Sequence, residues 1–372
     1  MRLALVISSL RGGGAERVMA TLANAWAARG VEVTLITLAP RSTDAYPVDA
    51  AVERIDLYKT ARSSGFFTAL ANNWARIHAL RKAIVACRPD AVISFIAKAN
   101  ILTVLAATGL RVPVVVAEHT FAGAKAPDGM RGLLHGPLYR RAAAVVALTR
   151  RGADYIQSKF GCPVTVIPNP VPFPNDAGPV ARRRENPIVL AVGRLIPLKG
   201  FDLLIEAFAR VAERHPEWKL RIVGEGESRP DLAQAIASSG LSDRISMPGF
   251  TDNVREEMRQ AGLFVLSSRF EGFPMALLEA MSEGLACISF DCETGPGELI
   301  DHRENGWLVP ANDVPALADA LDVLMGDADL RERLGSRARD VGNTYSLPRI
   351  LDQWEALLKP VLSHAGSACL ET

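Results

Sequence analysis

Residues 189–208 read VLAVGRLIPLKGFDLLIEAF. An apolar run ends at Gly193, Arg194 and Lys199 bracket a short loop, and a helical pattern follows. This order predicts a strand over residues 188–192 feeding a helix, the repeating unit of an α/β protein with a parallel sheet. Two cations at the carboxyl end of such a strand stand where open α/β sheets bind ligands. They suit a diphosphate. A unit charge pair at about 4 Å contributes roughly 4 kcal/mol at an effective dielectric near 20, enough for two cations to stabilise charge on a leaving diphosphate without a metal ion. A solvated basic loop would account for this run taken alone.

Residues 271–279, EGFPMALLE, supply the second half of the pattern. Glu271 and Glu279 flank a turn, and Pro274 is expected at the first helical position, where its missing N–H costs nothing. Free backbone N–H groups and the positive helix end would then face an anion. Carboxylates accept hydrogen bonds from sugar hydroxyls without competing for a phosphate. A sugar nucleotide carries all of these groups.

The strand–loop–helix alternation extends on both sides. In the first half, strands are expected near the amino terminus and at 91–96, 112–117, 143–148 and 165–167, with a helix over about 15–29. In the second they are expected near Ile188, Leu220, Ile245, Leu263, Ala286 and Gly306, with helices from about Val314 onward. Between them, residues 167–187 carry six prolines and the triplet Arg182–Arg184, a composition that no packed helix or central strand accepts. The expected organisation is a first domain over 1–170, a Pro-rich linker over 171–187, a second domain over 188–345, and a last segment, 346–372, whose helix near 347–363 crosses back to the first domain.

Composition sets the class. The chain has 372 residues, 49% of them hydrophobic, and no apolar run of eighteen, which predicts two soluble domains without a membrane span. The opening MRLALVISSL is too short and lacks a cleavage site for a signal peptide, and suits a first strand. Cys87, Cys162, Cys287, Cys292 and Cys369 are scattered, so reduced thiols in a cytoplasmic protein are expected, and no structural zinc.

The net charge of +1 conceals an uneven distribution. Residues 1–184 carry 24 basic against 11 acidic side chains, whereas residues 185–372 carry 18 against 30. A basic first half suits an anionic lipid surface or a pyrophosphate-bearing substrate better than nucleic acid. Lys59, Arg62, Arg76, Arg81, Lys82 and Arg88 interleave with Phe66, Phe67 and Trp74, and a second mixture runs over 125–141. Such a pattern fits a helix seated at anionic headgroups. A solvated helix face accounts for it equally.

Residues 11–17, RGGGAER, follow a strand and open a helix, as a dinucleotide fingerprint would, but Arg17 stands where its third glycine belongs. The second strand ends ITLAPR without an acid for an adenosine ribose, although Arg41 leaves a faint case for a phosphorylated dinucleotide and hence an NADP-dependent oxidoreductase. His119, in VVVAEHTF, is expected at the carboxyl end of a strand, with Glu118 beside it as a second candidate.

Four motifs in order, GGAE (13–16), GRLIPLKG (193–200), VGEGE (223–227) and EGFPMALLE (271–279), resemble those of retaining glycosyltransferases of family 4 with the GT-B architecture, and the resemblance covers nearly the whole chain. It implies two facing Rossmann-like domains around a cleft. It further implies that Arg194 and Lys199 grip the donor diphosphate, that Glu279 binds the nucleotide ribose, and that Glu271 contacts a hydroxyl of the transferred sugar. The backbone over Phe273, Pro274 and Met275 would face sugar and phosphate, the base would pack near Gly249 and Phe250, and Gly13, Gly14, Gly193, Glu225 and Leu278 complete the expected donor set. His119 would bind and orient the sugar without having to be a general base. With the resemblance, a UDP-sugar is the expected donor, and the basic first half motivates a glycan or polyprenyl-diphosphate-linked acceptor and placement on the inner face of the cell membrane. No D-x-D element is positioned for a metal, so no cofactor or divalent ion is expected. A covalent route through a carboxylate stays open beside direct front-side transfer, as does a binding or scaffold role without catalysis.

Overall fold

A computed structural model describes residues 1–58, 66–119, 130–172 and 186–367, the side chains of 66–69, 130–134 and 364–367 excepted. The chain divides into two units, residues 1–170 with 347–372, and residues 171–346. Most of the expected linker lies outside the described residues.

The first unit holds a parallel seven-stranded sheet. Its strands are β1 (Arg2–Ile7), β2 (Glu32–Thr37), β3 (Glu53–Asp56), β4 (Ala91–Phe95), β5 (Val114–Glu118), β6 (Ala144–Ala147) and β7 (Val164–Val166), in the order β3-β2-β1-β4-β5-β6-β7. The central strands are apolar runs because helices cover both faces; residues 3–7 are almost completely buried. The helix Gly14–Ala28 buries Val18, Met19, Leu22, Ala23 and Trp26 along one stripe, the amphipathic spacing expected of a crossover helix. Trp26 meets Trp354 edge-on at 6.2 Å, and Phe95 stacks on Trp354 at 5.9 Å. Arg29 adds ion pairs to Asp352 and Glu355 at 3.0 and 2.8 Å. These contacts hold the last helix, Leu347–Ser367, in the first unit.

The second unit holds a parallel six-stranded sheet of β8 (Ile188–Val192), β9 (Lys219–Val223), β10 (Ile245–Gly249), β11 (Leu263–Leu266), β12 (Cys287–Asp291) and β13 (Trp307–Pro310), in the order β10-β9-β8-β11-β12-β13. Phe201, Leu204, Ile205, Phe208 and Val211 form the buried stripe of the helix Phe201–Val211. They pack with Leu220, Ile222, Phe290, Leu317 and Leu321 into one core. Val171 N donates to Tyr345 O at 2.8 Å, so the unit begins and ends at one place.

Each sheet reverses its strand order once, between β1 and β4 in the first unit and between β8 and β11 in the second. At such a reversal the connecting loops diverge to opposite faces and leave a crevice at the carboxyl ends of the strands. This is what positions the candidate site.

Candidate functional site

The two motifs of the second half follow the two strands that flank its reversal: Gly193 and Arg194 come directly after β8, and residues 267–271 directly after β11. Gly200 makes the approach of these loops possible. It has φ +61°, and a Cβ there would run into the carbonyl of Ser267, so only glycine meets both demands. Ser267 Oγ donates to Lys199 O at 3.0 Å, Arg269 N donates to Leu198 O at 2.9 Å, and the Arg269 guanidinium forks onto Asp202 at 2.8 and 2.6 Å. The hydrogen bonds from Arg269 hold the Asp202 carboxyl below its usual range.

On this frame Lys199 Nζ lies 2.6 Å from Glu271 Oε1, and Ser268 Oγ donates to the same oxygen at 2.6 Å. Thr294, in the loop after β12, donates through Oγ1 to the carbonyl of Glu271. Glu271, Ser268 and Thr294 are all buried. The Lys199 stem passes over Gly193, where a Cβ would lie 3.6 Å from Cδ and Cε. Arg194 is exposed, and among the described residues no carboxylate pairs with it. Arg194 is thus open to an anion, whereas Lys199 pairs with Glu271 across the loops.

Pro274 also differs from expectation. It is the N-cap rather than the first helical residue, with ψ 84°, and its carbonyl accepts the first helical hydrogen bond from Leu278 N at 3.0 Å. The helix Met275–Ser282 thus starts one residue later, and the N–H groups of Met275, Ala276 and Leu277 precede that first bond. Gly295, at φ +94°, packs directly on the Pro274 ring, which fixes the turn from behind. Glu279 is buried in the second turn and Leu278 is wholly enclosed, so Leu278 offers a ligand no side-chain surface. Phe273 is buried edge-on against Tyr345 at 5.9 Å. Met275 is half-buried.

Glu225 follows β9, but its carboxylate is already taken by Arg229 through bonds of 2.9 and 2.8 Å. Gly249 ends β10 at φ +101° beside this pair, and Phe250 is 71% exposed.

In the first unit Gly13 is the N-cap of the helix Gly14–Ala28. The Glu16 carboxylate folds into the space a Gly13 side chain would need, a negative group at the positive helix end. His119 directly follows β5, is buried, and packs on Phe95 in a tilted arrangement, ring centroids 4.0 Å apart and planes 33° from parallel. Both ring nitrogens lack a partner among the described residues, and burial pushes the imidazole down to about 3. It stays neutral near pH 7. Glu118 points elsewhere: Tyr139 donates to it at 2.7 Å, and Asn100 donates to Tyr139 and to Ala117 O at 3.1 and 3.0 Å.

Sequence reasoning missed Ser268, Thr294 and Gly295. Their signals were a serine three residues before Glu271 and the Thr-Gly-Pro turn after β12. Among the described residues, no group of three His, Cys, Asp or Glu side chains is placed to hold a metal ion. Cys87, Cys162, Cys287 and Cys292 are free thiols; burial, with Glu271 next in effect, pushes Cys292 up to about 12.

Residues 12–173 match the model of Glycosyltransferase Family 4, and residues 173–341 match that of Glycosyl transferases group 1. A Campylobacter jejuni protein described as GalNAc-alpha-(1->4)-GalNAc-alpha-(1->3)-diNAcBac-PP-undecaprenol alpha-1,4-N-acetyl-D-galactosaminyltransferase is 27% identical over 97% of this chain and 99% of its own. Exopolysaccharide phosphotransferase SCO2592 of Streptomyces coelicolor is 36% identical over 64% of this chain, but the match spans only 26% of that protein. Among solved structures, Anabaena Alr3699/HepE in complex with UDP-glucose superposes with a TM-score of 0.80 at 20% identity, covering 97% of this chain and 100% of that one. Together the two family models run from residue 12 to residue 341, and the chain belongs to the glycosyltransferases that join a family 4 first half to a group 1 second half on the GT-B fold of two Rossmann-like units.

Proposed function

We propose that the chain transfers a hexose or N-acetylhexosamine from a UDP-sugar to a glycan carried on a lipid diphosphate, with retention of anomeric configuration and without a divalent metal. The observation that carries this reading is Glu271, held by Lys199 and Ser268 at the strand-order reversal, where the exposed cation Arg194 follows the adjacent strand β8. A diphosphate at the carboxyl end of β8 would meet Arg194 and draw on Lys199. Glu271 would accept a hydrogen bond from a sugar hydroxyl, and Glu279 would serve the ribose. In front-side transfer the anomeric carbon–phosphate bond breaks as the bond to the acceptor oxygen forms. The acceptor proton passes to the leaving phosphate oxygen, so the protein's work is positioning and charge stabilisation. A neutral His119 fits a hydrogen-bonding role toward the sugar rather than that of an acid. The undecaprenol-linked substrate named for the Campylobacter relative, and UDP in the Anabaena complex, support the choice of acceptor and donor.

Placement on an anionic membrane is part of the same reading. Among the described residues no helix is long and apolar enough to cross a membrane. The helix Phe66–Cys87 nevertheless exposes Leu70 and Trp74, with Tyr58 exposed ahead of it in the chain, and the first half is basic. Arg76 and Arg81 correct the expected basic face. Arg76 is buried and donates to Asn73, and Arg81 donates to the carbonyls of Ala106 and Thr108. Lys59, Arg62 and Lys125 lie outside the described residues, as do the side chains of Phe66 and Phe67.

Glu271→Ala tests the catalytic reading. Transfer should fall by about two orders of magnitude, the scale for an interaction made in the transition state, while UDP binding by calorimetry stays within about threefold. Loss of UDP binding together with transfer would make Glu271 structural. Tight UDP-sugar binding with no turnover in the unmodified protein would favour a scaffold.

A further inference from the structure

Glu271 Oε1 accepts from two donors of different kinds, the Lys199 ammonium and the Ser268 hydroxyl, each at 2.6 Å. Among the described residues no donor reaches Oε2. The carboxylate is nearly enclosed, with its side chain 9% exposed, and its lysine partner is 22% exposed. An enclosed carboxylate stripped of its donors is strongly disfavoured. A donor diphosphate arriving at the carboxyl end of β8 would compete with Glu271 for the Lys199 ammonium.

We infer that Ser268 is a positioning residue that keeps Glu271 in place while Lys199 turns to the donor diphosphate. The inference rests on the function proposed above. Ser268 is suited to this because it does not have to move. It is 1% exposed and lies two residues beyond β11. Its neighbour Ser267 is fixed to the Lys199 carbonyl, and Thr294 fixes the Glu271 backbone from the loop after β12. When the ammonium leaves, Oε1 retains the hydroxyl, and Oε2, which no donor among the described residues reaches, is left to accept from a sugar hydroxyl. A flexible four-carbon stem suits the moving partner; a short, buried hydroxyl suits the stationary one.

The alternative is that Ser268 only satisfies a buried acid and matters for folding. Kinetics separate the two. The donor is first chosen by turnover from UDP-glucose, UDP-galactose, UDP-N-acetylglucosamine and UDP-N-acetylgalactosamine. With that donor, Ser268→Ala should lower kcat about tenfold to a hundredfold, the span of a hydrogen bond to a charged group, and leave the Kd for UDP within about threefold. In a Glu271→Ala background the same change should have no further effect on kcat, because a residue acting through a partner is silent once the partner is gone. If Ser268→Ala compromises folding, Ser268→Thr is compared with the near-isosteric Ser268→Val. The threonine form should exceed the valine form by the same factor.

Unchanged kcat in Ser268→Ala, equal rates for the threonine and valine forms, or a full further loss in the Glu271→Ala background would each overturn the inference. Failure of the unmodified protein to bind UDP or turn over any of the four donors would instead remove the functional reading, and the inference with it. Normal wild-type turnover with an unaffected Ser268→Ala leaves that reading standing and removes only the role of Ser268.

Discussion

At the scale of single residues, the site combines groups that local sequence announces with groups that only the sheet order brings in. Arg194, Lys199, Glu271 and Glu279 were legible as candidates because each sits inside a contiguous motif whose residue types suit phosphate or hydroxyl recognition; the structure brings Lys199 and Glu271 together and buries Glu279 in the helix Met275–Ser282. Thr294 was not, since 23 residues separate it from the Glu271 carbonyl it binds, and only the pairing of β11 with β12 brings their loops together. The Lys199–Glu271 pair was hidden for the same reason, spanning 72 positions. His119 was legible as a strand-end histidine, but not its isolation. Its folded value of about 3 lies below the ordinary 6.5, so the unfolded chain takes up a proton that the folded protein refuses. Stability from this group is therefore full above pH 6.5 and lost as pH falls below it, by on the order of 2 kcal/mol at pH 4.5. Urea denaturation should show His119→Phe declining less steeply than the unmodified protein between pH 6.5 and 4.5. Parallel declines would mean that the ring is protonated in the fold.

At the scale of elements, the apolar strands were legible to within a residue or two, because a parallel strand buried on both faces leaves an uninterrupted hydrophobic run. β3 was not. Its sequence, ERID, has no apolar pattern, and it holds the sheet edge through pairing with β2 and through Arg54, whose nearly enclosed guanidinium lies 2.5 Å from Asp44 and 3.5 Å from Asp56. Pro274 shows how a boundary shifts: proline is favoured at the first helical position, but ψ 84° leaves this one at the N-cap, and sequence does not reveal ψ. The helix Phe66–Cys87 makes the element-scale prediction. Leu70 and Trp74 are 60% and 68% exposed one turn apart, an arrangement that an interfacial helix would bury among headgroups. Flotation with vesicles containing anionic phosphatidylglycerol should recover the unmodified protein and much less of Leu70→Ser/Trp74→Ser. Both should stay unbound with neutral vesicles at 0.5 M salt. Equal recovery of both proteins on anionic vesicles would assign the attachment to another surface.

At the scale of the whole molecule, the two units repeat one architectural solution with different chemistry at the reversal point. The second unit places Arg194, Lys199 and Glu271 there. In the first, β1 leads into the glycine loop with the Glu16 carboxylate at the helix start. Charge follows the same division, basic before residue 185 and acidic after it. The glycine run, read by itself, left a dinucleotide-dependent oxidoreductase open; the two family matches assign it to a glycosyltransferase instead. The last helix was expected to return to the first domain, and its contacts run through Trp26, Phe95 and Arg29.

The central claim, a nucleotide-diphosphate site built on protein cations in the second unit, is tested most directly by calorimetric titration of the purified protein in excess chelator. The ligands are UDP, GDP, ADP and the two oxidised nicotinamide dinucleotides, with Arg194→Ala measured alongside. The account predicts selective UDP binding near 10 μM, about −7 kcal/mol, weakened at least tenfold by Arg194→Ala. Dinucleotide binding without a response to any nucleoside diphosphate, or UDP binding that appears only when magnesium is restored, would contradict it.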